Sequence, residues 1–213
     1  MPIKKDREYR NMTMEIRTAE TEEQSEKMIV KGYASTFNEP YTLYEDDIWR
    51  LNEVVDKKAF ENTDMEDVIM QYDHQGRVFA RIKNNTLSVT PDEHGLLIEA
   101  DLGGTELGRQ LYDEIRGGYT DKMSFGFTVD GEEFLDKKDE DGKALTVRTI
   151  TSVRKLYDVS AVSLPANDAT EISVRNLADG EIERISAERR EAEALELRKR
   201  KMKAKADLLG GKK

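Results

Sequence analysis

The chain holds two histidines and no cysteine. Acid–base chemistry near neutral pH by a side chain therefore narrows to His74 and His94. His74 follows the apolar run Asp67-Val-Ile-Met-Gln-Tyr-Asp73 and precedes Gln75-Gly76, so its ring is expected at a strand end beside a cleft. His94 lies inside Pro91-Asp-Glu-His-Gly95, a turn whose polar side chains should face water. Ser124 sits where Met123, Phe125, Phe127 and Val129 alternate with Ser124, Gly126 and Thr128, the period of a strand with one apolar face. Gly126, next on the serine's own face, leaves room for a substrate backbone. A serine hydroxyl needs a base to take its proton, and an imidazole can later return that proton to a leaving amine. Asp158, in Leu156-Tyr-Asp-Val-Ser-Ala-Val162, is an acid on an otherwise apolar strand, where burial without a partner is costly. Bonded to the far nitrogen of His74, it would fix the tautomer and stabilise the imidazolium. Ser160 shares its face and is a candidate supporting donor.

Simpler readings stand beside these. Considered alone, a Ser124 hydroxyl satisfied by a neighbouring strand is the stronger reading, and Asp158 is as well explained by a bond to backbone or to Arg154. The surroundings of Ser124 are not a G-x-S-x-G elbow, which disfavours an α/β-hydrolase. Two histidines without cysteine leave little for a His74/His94/Asp metal hydrolase, and neither metal nor cofactor is expected.

The elements that must position these residues are mostly strands. Met28–Phe37 is rich in β-formers and ends at Asn38-Glu-Pro40. A loop carrying Trp49 follows, and Glu53–Phe60 is expected to open a helix. Asp67–Asp73 delivers His74. Arg77–Ile82 and Thr86–Thr90 are read as a hairpin about Asn84-Asn85, and Leu96–Leu102 leaves the Pro91–Gly95 turn. Thr105 caps a helix to about Arg116, with Leu107, Leu111 and Ile115 on one side and Gly117-Gly118 as the stop. Lys122–Val129, Thr146–Ser152 and Arg154–Leu164 are further strands, with Asp136–Lys143 as a polar hairpin tip. This pattern predicts a mainly antiparallel β-barrel or sandwich with peripheral helices.

Residues 1–27 read as a poorly ordered polar lead-in, with one strand around Met12–Arg17. Residues 28–177 form the core-bearing domain, and 178–213 a charged helical tail. The tail is Glu-rich first and Lys/Arg-rich last, which complements a helix dipole. The charged fraction is 37% and the net charge −10, which argues against a general nucleic-acid binder. No stretch is apolar enough for a membrane span and no signal peptide is visible, so a cytoplasmic protein is expected.

The order of these segments resembles the prohead (capsid-maturation) serine protease family of HK97-type phages. Glu53-Val-Val-Asp-Lys-Lys-Ala-Phe60 before a strand ending in His74 is similar to the family's opening, with Lys58 where the family tends to have glycine. The turn Asp92-Glu-His-Gly-Leu96 and the helix ending Ile115-Arg-Gly-Gly118 match its hairpin and helix. Lys122-Met-Ser-Phe-Gly-Phe127 and Leu156-Tyr-Asp-Val-Ser160 with Pro165-Ala-Asn167 match its nucleophile strand and closing pattern. The resemblance covers roughly residues 28–175. It implies a herpesvirus-protease-like antiparallel β-barrel, His74 as base, Ser124 as nucleophile and Asp158 as third member. The family usually has glutamate there, so the shorter side chain requires its strand to lie closer to His74. His94, in the turn, drops out. The resemblance further implies cleavage of the scaffolding segment of the major capsid protein, and of the protease itself, inside the assembling prohead in the host cytoplasm. The portal and prohead shell are further expected partners, the tail an extension that self-cleavage removes, and a homodimer an expectation from distant viral relatives. The alternative is a non-catalytic capsid assembly factor of the same fold.

Overall fold

The computed structural model describes residues 7–12, 17–18, 27–163, 198–199 and 202. Contacts divide the chain into two compact units, Met1–Ser173 and Val174–Lys213. The helical tail expected over 178–213 lies outside the described residues except at 198–199 and 202, which are helical.

The first unit is built from β1 (Glu8–Met12), β2 (Arg17–Thr18), β3 (Ile29–Thr36), β4 (Tyr41–Glu45), β5 (Trp49–Val55), β6 (Ile69–Tyr72), β7 (Gln75–Arg81), β8 (Leu87–Pro91), β9 (Gly95–Asp101), α1 (Glu106–Arg116), β10 (Lys122–Lys138) and β11 (Ala144–Val162). The larger sheet runs β1-β10-β11-β5-β4, with β6 also on β11 and β7 on β6; the smaller runs β2-β3-β9-β8. Among the described residues of this unit the fold is mainly β with one α-helix. Among the described residues the pairings leave both sheets open, so no barrel closes. One apolar core joins them, from Val30, Ala34, Ile98 and Ala100 on the small sheet to Phe125, Phe127, Leu156 and Val159 on the large.

Several expectations are met. Helix α1 starts where Thr105 accepts a 2.9 Å hydrogen bond from the Gly108 amide, a cap contributing about 1 kcal/mol. Its Leu111 and Ile115 are buried, whereas Leu107 is exposed. Gly118, at φ 74°, ends the turn after it in a conformation suited to glycine.

Others are corrected. Glu53–Phe60 opens no helix: Trp49–Val55 is strand β5, with alternate residues buried. Trp49, expected in a loop, is fully buried, and its Nε1 donates to Thr146 Oγ1 at 2.9 Å. The two closing strands are one, β11, which pairs in parallel with β5 along its first half and with β6 along its second. The hairpin expected at Asn84-Asn85 does not form. That segment is a 3-10 turn ending at Asn85 with φ 59°, and β7 and β8 join different sheets. The true hairpin is one turn earlier, between β6 and β7, and His74 is in it.

Candidate active site

Tyr72 and Gln75 pair directly, leaving Asp73 and His74 as a two-residue loop. Both have positive φ, 48° and 56°, as in the tight hairpin turns whose twist matches the strands. Asp and His tolerate that region better than most residues. The turn is tied to the end of β11: the Asp73 amide donates to the Ala161 carbonyl at 3.0 Å, and the Asp73 carboxylate accepts from the Ser163 amide at 3.0 Å. The imidazole is therefore fixed at its backbone, above the β10–β11 pair.

On that pair, Ser124 stands opposite Ser160, and Gly126 opposite Asp158. His74 Nε2 lies 2.5 Å from Ser124 Oγ, and Nδ1 is hydrogen-bonded to Asp158 Oδ1. Ser160 Oγ donates to Asp158 Oδ1 at 3.2 Å. All three residues anticipated from the sequence thus meet in one line, and Ser160 supports the third. Asp158 reaches the ring despite its length because β6 pairs with β11 at this point and carries the His74 turn down onto it. Asp158 is bonded to His74 and Ser160 and does not meet Arg154, which pairs with Asp130.

Ser124 and Asp158 are completely buried, and the His74 side chain keeps 13% of its surface. Burial alone would raise the Asp158 pKa. The hydrogen bond and charge of His74, the charge of Arg7 and the Ser160 hydroxyl outweigh it and hold the carboxyl below its ordinary value. An ionised carboxylate at Nδ1 keeps the proton on that nitrogen and leaves Nε2 free to take one from Ser124.

Three further residues, unforeseen from the sequence, complete the site: Tyr9 and Arg10 on β1, and Arg7 just before it. This strand pairs antiparallel with β10 along its outer edge, Asn11 opposite Ser124 and Tyr9 opposite Gly126. Ser124 Oγ donates to the Arg10 carbonyl at 2.8 Å. Arg7 bonds Asp158 Oδ2 at 2.6 Å and lies over the Tyr157 ring at 4.1 Å. Tyr9 meets the His74 ring edge-on, with centroids 4.4 Å apart. The room expected above Gly126 is consequently taken. An added Cβ there would stand 2.6 Å from Asp158 Oδ2 and 2.8 Å from Tyr9 Cε1. The sequence places a strand around Met12–Arg17; the strand found here, Glu8–Met12, overlaps it at Met12 alone, and its pairing is hidden because its partner lies more than a hundred residues away.

His94 is remote from these groups, at the β8–β9 turn, packed edge-on against Tyr33 at 4.6 Å. Among the described residues no cluster of three or more His, Asp or Glu side chains is arranged to hold a metal ion, and no helix is long and apolar enough to cross a membrane.

A serine, a histidine and a carboxylate joined in this order form the constellation of serine-type hydrolases. A family model described as caudovirus prohead serine protease matches residues 13–184, and the chain belongs to that family. It is therefore grouped with the capsid-maturation serine proteases of tailed phages. Searches among curated proteins and among solved structures gave no match.

Proposed function

We propose that this chain is a serine endopeptidase of prohead maturation, with Ser124 as nucleophile, His74 as general base and acid, and Asp158 as the group that orients and charges the imidazole. The observation that carries the reading is the continuous line Ser124 Oγ, His74 Nε2, His74 Nδ1, Asp158 Oδ1. Ser124 Oγ would add to a peptide carbonyl carbon as its proton passes to Nε2. His74 would then protonate the leaving nitrogen, the C–N bond would break, and water would release the acyl group by the reverse relay.

In this reading the substrates are the scaffolding segment of the major capsid protein and the protease itself, cut inside the prohead shell in the host cytoplasm. Family membership and motif order support it. The same motif order supports a herpesvirus-protease-like fold for the two-sheet body and an extension, 178–213, used for packaging and removed by self-cleavage. Contact with the portal and pairing of two copies belong to the same proposal. One observation favours a non-catalytic assembly role instead: β1 lies across the nucleophile and takes its hydroxyl hydrogen.

Ser124→Ala separates the two. The variant should fold and co-assemble but leave both the capsid protein and itself at full mass. Intact-mass spectra that show the same processing in wild type and variant after assembly would remove the protease reading.

A further inference from the structure

The outer edge of β10 beside Ser124 is the place where an extended peptide would add as a strand, giving main-chain hydrogen bonds along the nucleophile. Residues 7–12 of this chain already occupy it. Their backbone runs antiparallel to β10, and of their carbonyls it is Arg10's that accepts from Ser124 Oγ. The hydroxyl carries one hydrogen, so it can serve this carbonyl or His74 Nε2, but not both. The family match begins at residue 13, just after this strand.

The strand's two faces are read differently. Arg7 and Tyr9 lie on the side of Asp158 and His74. Glu8 and Arg10 enter a buried pocket on the other side. There Glu53, completely buried, grips the Arg10 guanidinium through both oxygens, at 2.5 and 2.8 Å. Arg148, 2% exposed, grips both oxygens of Glu8 at 2.7 and 2.9 Å. Arg148 and Glu53 are direct neighbours across β11 and β5 and bond each other at 2.8 Å. Tyr41 donates to Glu53, Glu132 accepts from Arg148 at 2.6 Å, and the Phe127 ring lies 5.6 Å from the Arg10 guanidinium. Three strand spacings separate β1 from β5 in the sheet order, about 14 Å if flat. The sheet must therefore curl to bring Glu53 under Arg10. The framework thus presents one buried negative and one buried positive side chain, and the bound segment answers with a positive and a negative one two residues apart.

We propose that Glu53 and Arg148 are the specificity-determining residues of this protease. They select extended segments with arginine immediately before the cut and glutamate two residues earlier, and residues 7–12 are such a segment, bound for cleavage between Arg10 and Asn11. The inference rests on the serine-protease reading above. Ser124 Oγ adds to the Arg10 carbonyl carbon and its proton passes to His74. The Arg10–Asn11 C–N bond then breaks as His74 protonates the Asn11 nitrogen. Water next attacks the Arg10 ester, its proton passing to His74 and on to Ser124 Oγ as the ester bond breaks. Residues 1–10 leave with a free carboxylate, and the edge is open to other substrates.

The test uses the full chain and a charge-reversed variant, Glu8→Arg/Arg10→Glu, whose β1 repels both partners and vacates the edge. The wild-type chain should convert to one beginning at Asn11, and the reversed chain should keep its N-terminus. Supplied with a peptide containing Arg-Glu-Tyr-Arg-Asn-Met, the reversed chain should cut after the second arginine. Leucine at that position should lower kcat/KM at least ~100-fold, because the buried Glu53 loses its two-pronged guanidinium partner and keeps Arg148 and Tyr41 alone. Lysine, which lacks the two-pronged fit, should lower it ~10-fold. A reversed chain that is labelled at Ser124 by a fluorophosphonate yet cuts the arginine and leucine peptides within threefold of each other overturns the specificity and leaves the protease reading standing. Absence of labelling in that open chain overturns the protease reading, and the inference with it.

Discussion

Gly126→Ala probes how closely the site depends on the position of one carboxylate. Ordinary contact begins at 3.4 Å, and the new Cβ would stand 2.6 Å from Asp158 Oδ2. The oxygen must therefore retreat by about 0.8 Å, the difference between those two distances. It cannot do so freely, because Asp158 is held by His74, by Arg7 at 2.6 Å and by Ser160 at 3.2 Å. The contact with Tyr9, at 2.8 Å, vanishes whenever β1 is displaced by substrate; the contact with Asp158 does not. Overpacking of this kind costs about 1–3 kcal/mol, a fall in Tm of about 2–4 °C per kcal/mol for a body of this size. Misplacing a catalytic group by about 1 Å costs about 100-fold in rate. The assay is kcat/KM for peptide hydrolysis, with Tm measured on the same preparations. A variant with lowered Tm but kcat/KM within threefold of wild type would refute the reasoning, since the strain would then be absorbed without disturbing the chemistry.

Asp158→Asn should lower kcat by up to about 10⁴-fold, as wrong-tautomer variants do in serine proteases generally, and by less than Ser124→Ala; single-turnover acylation rates measure both. Glu8 answers to pH. Burial alone would raise its pKa, but the Arg148 hydrogen bond and the charges of Arg10 and Arg148 bring it to about 2, from 4.5. A lowered carboxyl pKa stabilises the fold above its unfolded value, so this contribution is complete above pH 4.5 and lost as pH falls toward 2. It amounts to about 3 kcal/mol. The Tm gap between the uncut forms of wild type and Glu8→Gln, both carried on Ser124→Ala, should close over that interval. Thr146→Val removes the acceptor of the buried Trp49 Nε1 and the donor to Asp136 Oδ1 at 2.8 Å. The orphaned indole N–H should cost about 1–3 kcal/mol, read from urea unfolding.

What the sequence reveals depends on how far apart the partners lie. Local signals hold: Thr105 caps α1, Gly118 stops it, and the alternation at Met123, Phe125 and Phe127 marks a strand with one face in the core. The other face of that strand reads as open, yet Ser124, Gly126 and Thr128 are buried too. The cover over Ser124 and Gly126 comes from β1 and from the His74 turn, which no short-range pattern connects to them. Asp158 is legible because an acid among Leu156, Val159 and Ala161 demands a partner. Which partner is a tertiary fact, and Arg7 is absent from any local reading. Asn84-Asn85 looks more like a hairpin than Asp73-His74 does. Pairing preference decided otherwise, sending β7 to β6 and β8 to β9.

The strand on the outer edge of β10 also bears on solubility. Once it leaves, the backbone of Met123–Phe127, which it pairs along its length, presents unsatisfied donors and acceptors of the kind that recruit strands from any nearby chain. A cleft that works by accepting a strand is open to the wrong strand, and most so in a crowded particle. The net charge of −10 opposes that by keeping copies of the molecule apart. Segments of opposite charge pattern would then gain the edge ahead of a second copy.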